Sequence, residues 1–262
     1  MFNYCTPKSL PDLKSETFPD GKRYYTLEDG TRLPSVTTVI GAQKKKAIME
    51  WRKRVGEEEA NRVSSKATSR GTAVHSMCED YLNNKKVEMG TKLDAYEMFL
   101  SIKPELHRIN NIHYQEAALW SKKLGMAGRV DCIAEFDGEL SVIDFKTSKK
   151  VKSHEDIEDY FWQTTAYALM YEEMIGTPID NLVIIMAVEN EQPLVFKQKT
   201  ADHIHGLLKA INYYTDLTFY SGSDILGLRP LIGTTLTRSS INSANETGSS
   251  LLSTLPAKGS SI

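Results

Sequence analysis

Apolar positions along the chain change period several times, and each change marks a predicted element. Over residues 24–40, "YYTLEDGTRLPSVTTVI", β-branched and aromatic residues flank an Asp29-Gly30 turn signal, which predicts a short hairpin. Residues 44–65 read as a charged helix. Residues 67–83 read as a second, with Val74, Met77, Cys78, Tyr81 and Leu82 at helical spacing. A third helix spans residues 91–107, bent or ended by Pro104. Three strand-like segments follow at 114–121, 126–136 and 139–147, then a long helix over 157–175 with Gly176 as its stop. Strands at 182–188 and 194–198 lead to a last helix from 201 to about 220. Beyond residue 221 the chain is rich in Ser, Thr, Gly and Asn without a period, which predicts a disordered tail. The expected organisation is an extension (1–23), one α/β domain (24–221) and the tail (222–262).

Composition agrees with that reading and narrows it. The chain has 262 residues, 40% hydrophobic and 25% charged, the balance of a globular protein rather than a disordered one. No apolar run reaches the roughly eighteen residues of a spanning helix, so no membrane partner is expected. The N-terminus lacks the charged-then-apolar pattern of a secretion signal. Cys5, Cys78 and Cys132 are scattered and form no CxxC pair, which fits reduced thiols in a cytoplasmic setting. A net charge of −2 gives no global sign of a polyanion partner. Local basic clusters at Lys44–Lys46, Arg52–Arg54, Lys122-Lys123 and Lys149-Lys150 with Lys152 together permit one, but each alone reads first as a solvated face.

The chemistry concentrates in residues 128–150, "GRVDCIAEFDGELSVIDFKTSKK". Side chains alternate between the two faces of a strand, so Val142, Asp144 and Lys146 share one face while Ile143 and Phe145 share the other. A two-residue Asp137-Gly138 turn makes Phe136 and Glu139 partners, and that register sets Asp131 opposite Asp144. Carboxylates so paired have Cβ atoms about 5 Å apart and repel by about 3 kcal/mol at an effective dielectric near 20. A divalent cation turns that repulsion into a chelate, and oxygen ligation suits Mg2+ or Mn2+. Lys146 would lie beside the cation, able to orient or deprotonate a water. If residues 122–125 form the preceding connection, Glu116 falls opposite Asp131 as a third carboxylate. That register is softer, because a four-residue loop tolerates bulges. Solvated acids on an edge hairpin are the alternative for all three.

Gly128-Arg129-Val130-Asp131 followed by Asp144-Phe145-Lys146-Thr147 resembles the core of the PD-(D/E)xK nuclease superfamily, in its RecB-like exonuclease branch. "RGTAVH" (70–75) is similar to the upstream histidine motif of that branch, and "QTTAY" (163–167) to its Gln-x-x-x-Tyr motif. "LPSVTTVI", Trp51 and "FWQTTAYALMYEE" resemble more closely the mitochondrial genome maintenance exonuclease group and its phage relatives. The resemblance covers residues 24–220. It implies a mixed central β-sheet flanked by helices. It implies metal binding by Asp131 and Asp144 with the Phe145 carbonyl, with His75 as a ligand or beside one, and Glu116 matching a carboxylate that some members use. Lys146 would position the attacking water, and Gln163 and Tyr167 would orient the lysine or the DNA. Glu79, one turn from His75, would orient the imidazole. Arg70 would contact DNA or pair locally, and Lys122, Lys123 and Lys149 are further candidates for DNA contact. Some relatives hold an iron–sulfur cluster on four cysteines; three scattered cysteines cannot, so none is expected.

The expected function is a Mg2+- or Mn2+-dependent DNA exonuclease acting on single strands or free ends, in replication, recombination or DNA degradation. A DNA endonuclease on the same fold is the alternative, and a non-catalytic DNA-binding scaffold a more distant one.

Overall fold

A computed structural model describes residues 1–5 and 8–220; the expected tail lies outside the described residues. Strands β1 (Lys14–Thr17), β2 (Arg23–Thr26) and β3 (Arg32–Pro34) form a small antiparallel sheet. The expected hairpin is there as β2 and β3, with Tyr25 opposite Leu33. Its last residues are not strand. Residues 36–41 form helix α1 (Val36–Gly41), because the Ser35 hydroxyl accepts the Thr38 N–H at 3.0 Å and caps it. Val36, Val39 and Ile40 then fall on one buried face.

Helices α2 (Lys45–Val55) and α3 (Glu57–Leu82) are the two helices expected here, with the break between them moved. The break lies at Gly56, whose φ of +87° takes it out of the helical region. No break occurs near residue 66. Helix α4 (Leu93–Leu106) follows and keeps Pro104 inside its last turn.

Strands β4 (Ile109–Ser121), β5 (Met126–Phe136) and β6 (Glu139–Ser148) come next, then α5 (Glu158–Ile175), β7 (Asn181–Val188), β8 (Leu194–Lys199) and α6 (Thr200–Tyr220). The five strands lie in chain order, antiparallel except for the parallel β6–β7 pair. That one parallel pair requires a crossover, which α5 supplies. The result is the mixed sheet that was expected. On one face, Val142, Ile184 and Met186 pack with α1, α5 and α6; on the other, Ile143, Phe145, Val183 and Ile185 pack with α3 and α4. Asn3, Tyr4 and Cys5 run along the outer side of β4, with two backbone hydrogen bonds to Ile112.

Candidate active site and metal centre

The β5–β6 turn places both Asp137 (φ 53°) and Gly138 (φ 83°) in the left-handed region, as a tight hairpin requires. The ladder runs from Phe136 opposite Glu139 to Cys132 opposite Ile143, and there it stops. The next residues are Asp131 and Asp144. Instead of continuing the ladder, Asp131 turns its carboxylate between the strands, where Oδ2 accepts the Phe145 N–H at 2.8 Å. The β4–β5 pairing is interrupted at the same level. Gln115 pairs with Cys132 and Ala117 with Val130, but Glu116 sits between them at φ 48° and takes no ladder partner.

Three donors converge at this opening. His75 from α3, Glu116 from β4 and Asp131 from β5 each offer a ligand atom, all within 4.8 Å of one another. His75 Nδ1 lies 3.3 Å from Asp131 Oδ2, and the imidazole meets the Phe145 ring edge-on with centroids 6.2 Å apart. Asp144 stands beside this group rather than in it. It is 1% exposed, its Oδ1 accepts from Gln163 Nε2 at 3.1 Å, and its Oδ2 is ion-paired with the Lys146 ammonium. Lys146 also lies over the Tyr160 ring, 5.0 Å from its centroid.

Burial and charge divide the carboxyls. Burial, then the charge of Asp131, pushes Glu116 up to about 7. Burial again, with Asp131 adding and Lys146 opposing, moves Asp144 up to about 6. For Asp131 burial works upward too, but His75, Lys146 and the Phe145 N–H together hold it below the usual carboxylate range. Burial disfavours a charged His75, yet the neighbouring Asp131 carboxylate outweighs it and raises the imidazole. Two carboxylate oxygens and an imidazole nitrogen at this spacing, with a further buried carboxylate alongside, fit a divalent cation by donor type.

The model of the PD-(D/E)XK nuclease superfamily matches residues 73–213, a span that holds every residue just placed. The chain belongs to that superfamily. Its members typically use divalent metals, which agrees with the donor set. Among curated proteins it is similar to "Mitochondrial genome maintenance exonuclease 1" of Homo sapiens, at 26% identity over 62% of this chain and 51% of that protein. The Xenopus tropicalis protein of that name is 27% identical over 64% of this chain and 51% of its own length, and the Mus musculus one 28% over 46% and 38%. The chain therefore spans about half the length, or less, of these relatives. A solved "Putative exonuclease" from Eubacterium rectale aligns over 58% of this chain and 66% of its own at 13% identity, with a TM-score of 0.40, too distant to carry an argument.

His75, Gln163 and Tyr167, which the sequence sets in the histidine and Gln-x-x-x-Tyr patterns, fall close to the carboxylates. Tyr167 is buried below the site, raised by burial and by the charges of Asp131 and Asp144. Its ring lies where a side chain at position 128 would stand: a Cβ on Gly128 would come within 2.8 Å of it. The bond between His75 and Asp131, rather than one to Glu79, fixes the imidazole.

Of the candidates for DNA contact, Lys122 and Lys123 lie apart from this group. Arg70 is 5% exposed, with its guanidinium on Glu189 at 2.8 Å, a long-range pair rather than a local one. Lys122, ion-paired with Asp29, and Lys123 stand at the β4–β5 turn, about 20 Å along the strand from Glu116. Lys149 stands near Glu59. Sequence reasoning missed Tyr160. Its signal was available, since Tyr160, Gln163 and Tyr167 follow one another three and four residues apart and so share a helix face.

Proposed function

We propose that this chain is a Mg2+- or Mn2+-dependent deoxyribonuclease that hydrolyses phosphodiester bonds at single-stranded DNA ends. The observation that carries the reading is the convergence of His75, Glu116 and Asp131 within 4.8 Å, next to a buried Asp144–Lys146 pair. His75, Glu116 and Asp131 would hold the cation, with Asp144 and the Phe145 carbonyl completing the site. When bound, the cation supplies Lewis acidity: it lowers the pKa of a water and offsets charge on the phosphate.

The chain's own residues do the rest. Lys146 keeps its proton at neutral pH: burial opposes the charge, but Asp144 and Asp131 overcome it. A protonated Lys146 offsets charge building on the phosphate and orients the attacking water. Gln163 holds Asp144 by one oxygen and so leaves the other for Lys146. The relatives named as exonucleases support attack at ends over attack within a strand.

The test is release of nucleotides from labelled single-stranded DNA with Mg2+ or Mn2+, compared with Asp144→Ala and Lys146→Ala proteins. Both variants are expected to lose activity at least about a hundredfold; variants as active as the wild type would end this assignment. A circular single strand should stay intact, and its cleavage would identify an endonuclease instead. Strands labelled at the 5′ or the 3′ end, digested in parallel, report the direction.

A further inference from the structure

Glu116 poses a structural problem that the catalytic reading leaves unexplained. Its φ of 48° is a left-handed conformation that costs a non-glycine residue on the order of 1 kcal/mol or more. It also lies in a strand where Gln115 and Ala117 keep their ladder partners and Glu116 does not. A carbonyl released from a ladder needs another donor. Arg129 supplies it. Arg129 pairs with Ala118 across the β4–β5 ladder, and its Nη1 reaches back to donate to the Glu116 carbonyl oxygen. Its Nη2 donates to the Asp12 carboxylate. A guanidinium can make both contacts at once because its donors form a rigid planar fork; a lysine ammonium lacks that geometry.

The neighbourhood explains why this matters. An ordinary pleat at residue 116 would keep the strand regular. The left-handed turn instead lets the Glu116 carboxylate join His75 and Asp131 within 4.8 Å. We infer that Arg129 is a positioning residue for the candidate metal centre: by holding the Glu116 carbonyl, it fixes the strained turn that aims the Glu116 carboxylate at Asp131 and His75. This rests on the metal-binding reading above. The exposed Asp12 steadies the guanidinium from outside, and an ion pair at such a surface contributes little by itself.

The experiment is calorimetric titration of the full chain with MnCl2 alone. Its subjects are the wild type, Arg129→Met, Arg129→Lys, Glu116→Gln and the Arg129→Met/Glu116→Gln double variant. Methionine keeps the packing of the arginine stem but removes both donors, while lysine reaches nearly as far and can still give one N–H to the Glu116 carbonyl. Arg129→Met is expected to weaken Mn2+ binding about tenfold, the usual effect of losing a group that orients a ligand. Arg129→Lys should recover part of that loss. On the Glu116→Gln background, Arg129→Met should change affinity by less than twofold, since the carboxylate it aims is gone.

Wild-type affinity in Arg129→Met, or the same tenfold loss on both backgrounds, overturns the inference while leaving the metal centre standing. No Mn2+ binding by the wild type overturns the metal centre and the inference with it. Thermal melting identifies any variant that fails to fold. If Arg129→Met does so, Arg129→Lys decides alone, with weaker binding supporting the role and unchanged binding overturning it.

Discussion

At Glu116 a charged side chain is held at φ 48° and buried enough to titrate near 7, two costs that a carboxylate on a regular exposed strand avoids. Glu116→Gly removes both, because glycine accepts a left-handed backbone and carries no carboxyl. Its unfolding free energy is expected to rise by about 1 kcal/mol while metal affinity falls. Denaturant melts compared with the wild type check the first half, and a lower midpoint would mean that the turn is unstrained. Asp131, Asp144 and Lys146 were legible in the sequence because a two-residue turn sets a register and alternation assigns faces. The left-handed turn at Glu116 was not, since nothing in a glutamate's chemistry favours it and the device holding it is an arginine thirteen residues away. The final placement of Asp144, paired with Lys146 and outside the tight donor group, also needed three dimensions.

Among the elements, α1 departs most from expectation and shows why. "SVTTVI" has strand composition, but one hydroxyl at its start satisfies the Thr38 N–H, and helical spacing buries Val36, Val39 and Ile40 against α5 and α6. A cap outweighs propensity in so short a segment. Ser35→Ala is therefore expected to lower stability by about 1 kcal/mol, measured by chemical denaturation. The α5–α6 contact gives a second prediction. A Cβ on Gly206 would stand 2.1 Å from Trp162 Nε1, so no alanine fits without moving α6 or the indole. Gly206→Ala should cost about 2 kcal/mol; a melting temperature equal to wild type would show that the tryptophan swings aside freely. The helix spans around this contact were readable from periodicity, whereas the single break at Gly56 was misplaced because polar residues near 66 mimic a boundary.

At the scale of the whole molecule, acidic side chains gather around one cavity. A cavity of about 390 Å³ between α4 and the β7–β8 connection is lined by Asp94, Glu97, Glu189 and Glu191, a poor surface for a polyanion. At the far end of the sheet, Asp137 is ion-paired with Arg108 and Lys197, which hold its carboxyl well below the usual carboxylate range. Because the folded pKa is depressed, this contribution to stability is fully present above the unfolded pKa near 4 and is lost progressively as pH falls from there through the folded pKa. Asp137 is 39% exposed, so the contribution stays under about 1 kcal/mol. Asp137→Asn keeps the turn's left-handed tolerance but not the charge. Its melting temperature should fall slightly below wild type at pH 7, with the gap narrowing as pH falls below 4; a gap that stays constant down to pH 2 would assign the effect to the turn. Among the described residues no helix is long and apolar enough to cross a membrane.

The backbone hydrogen bonds between residues 3–5 and Ile112 bear on how the molecule behaves in a crowded solution. A bare β4 would present unpaired amides to any neighbouring chain, the usual template for edge-to-edge association. The Tyr4 hydroxyl, donating to the Leu82 carbonyl and accepting from Gln115, fastens this cover to the molecule. At the opposite edge, β8 carries Lys197 and Lys199, whose charges discourage stacking by other means. Removing residues 1–5 should therefore leave the candidate active site intact yet lower the concentration at which the protein stays dispersed, a change that light scattering would register before any loss of activity.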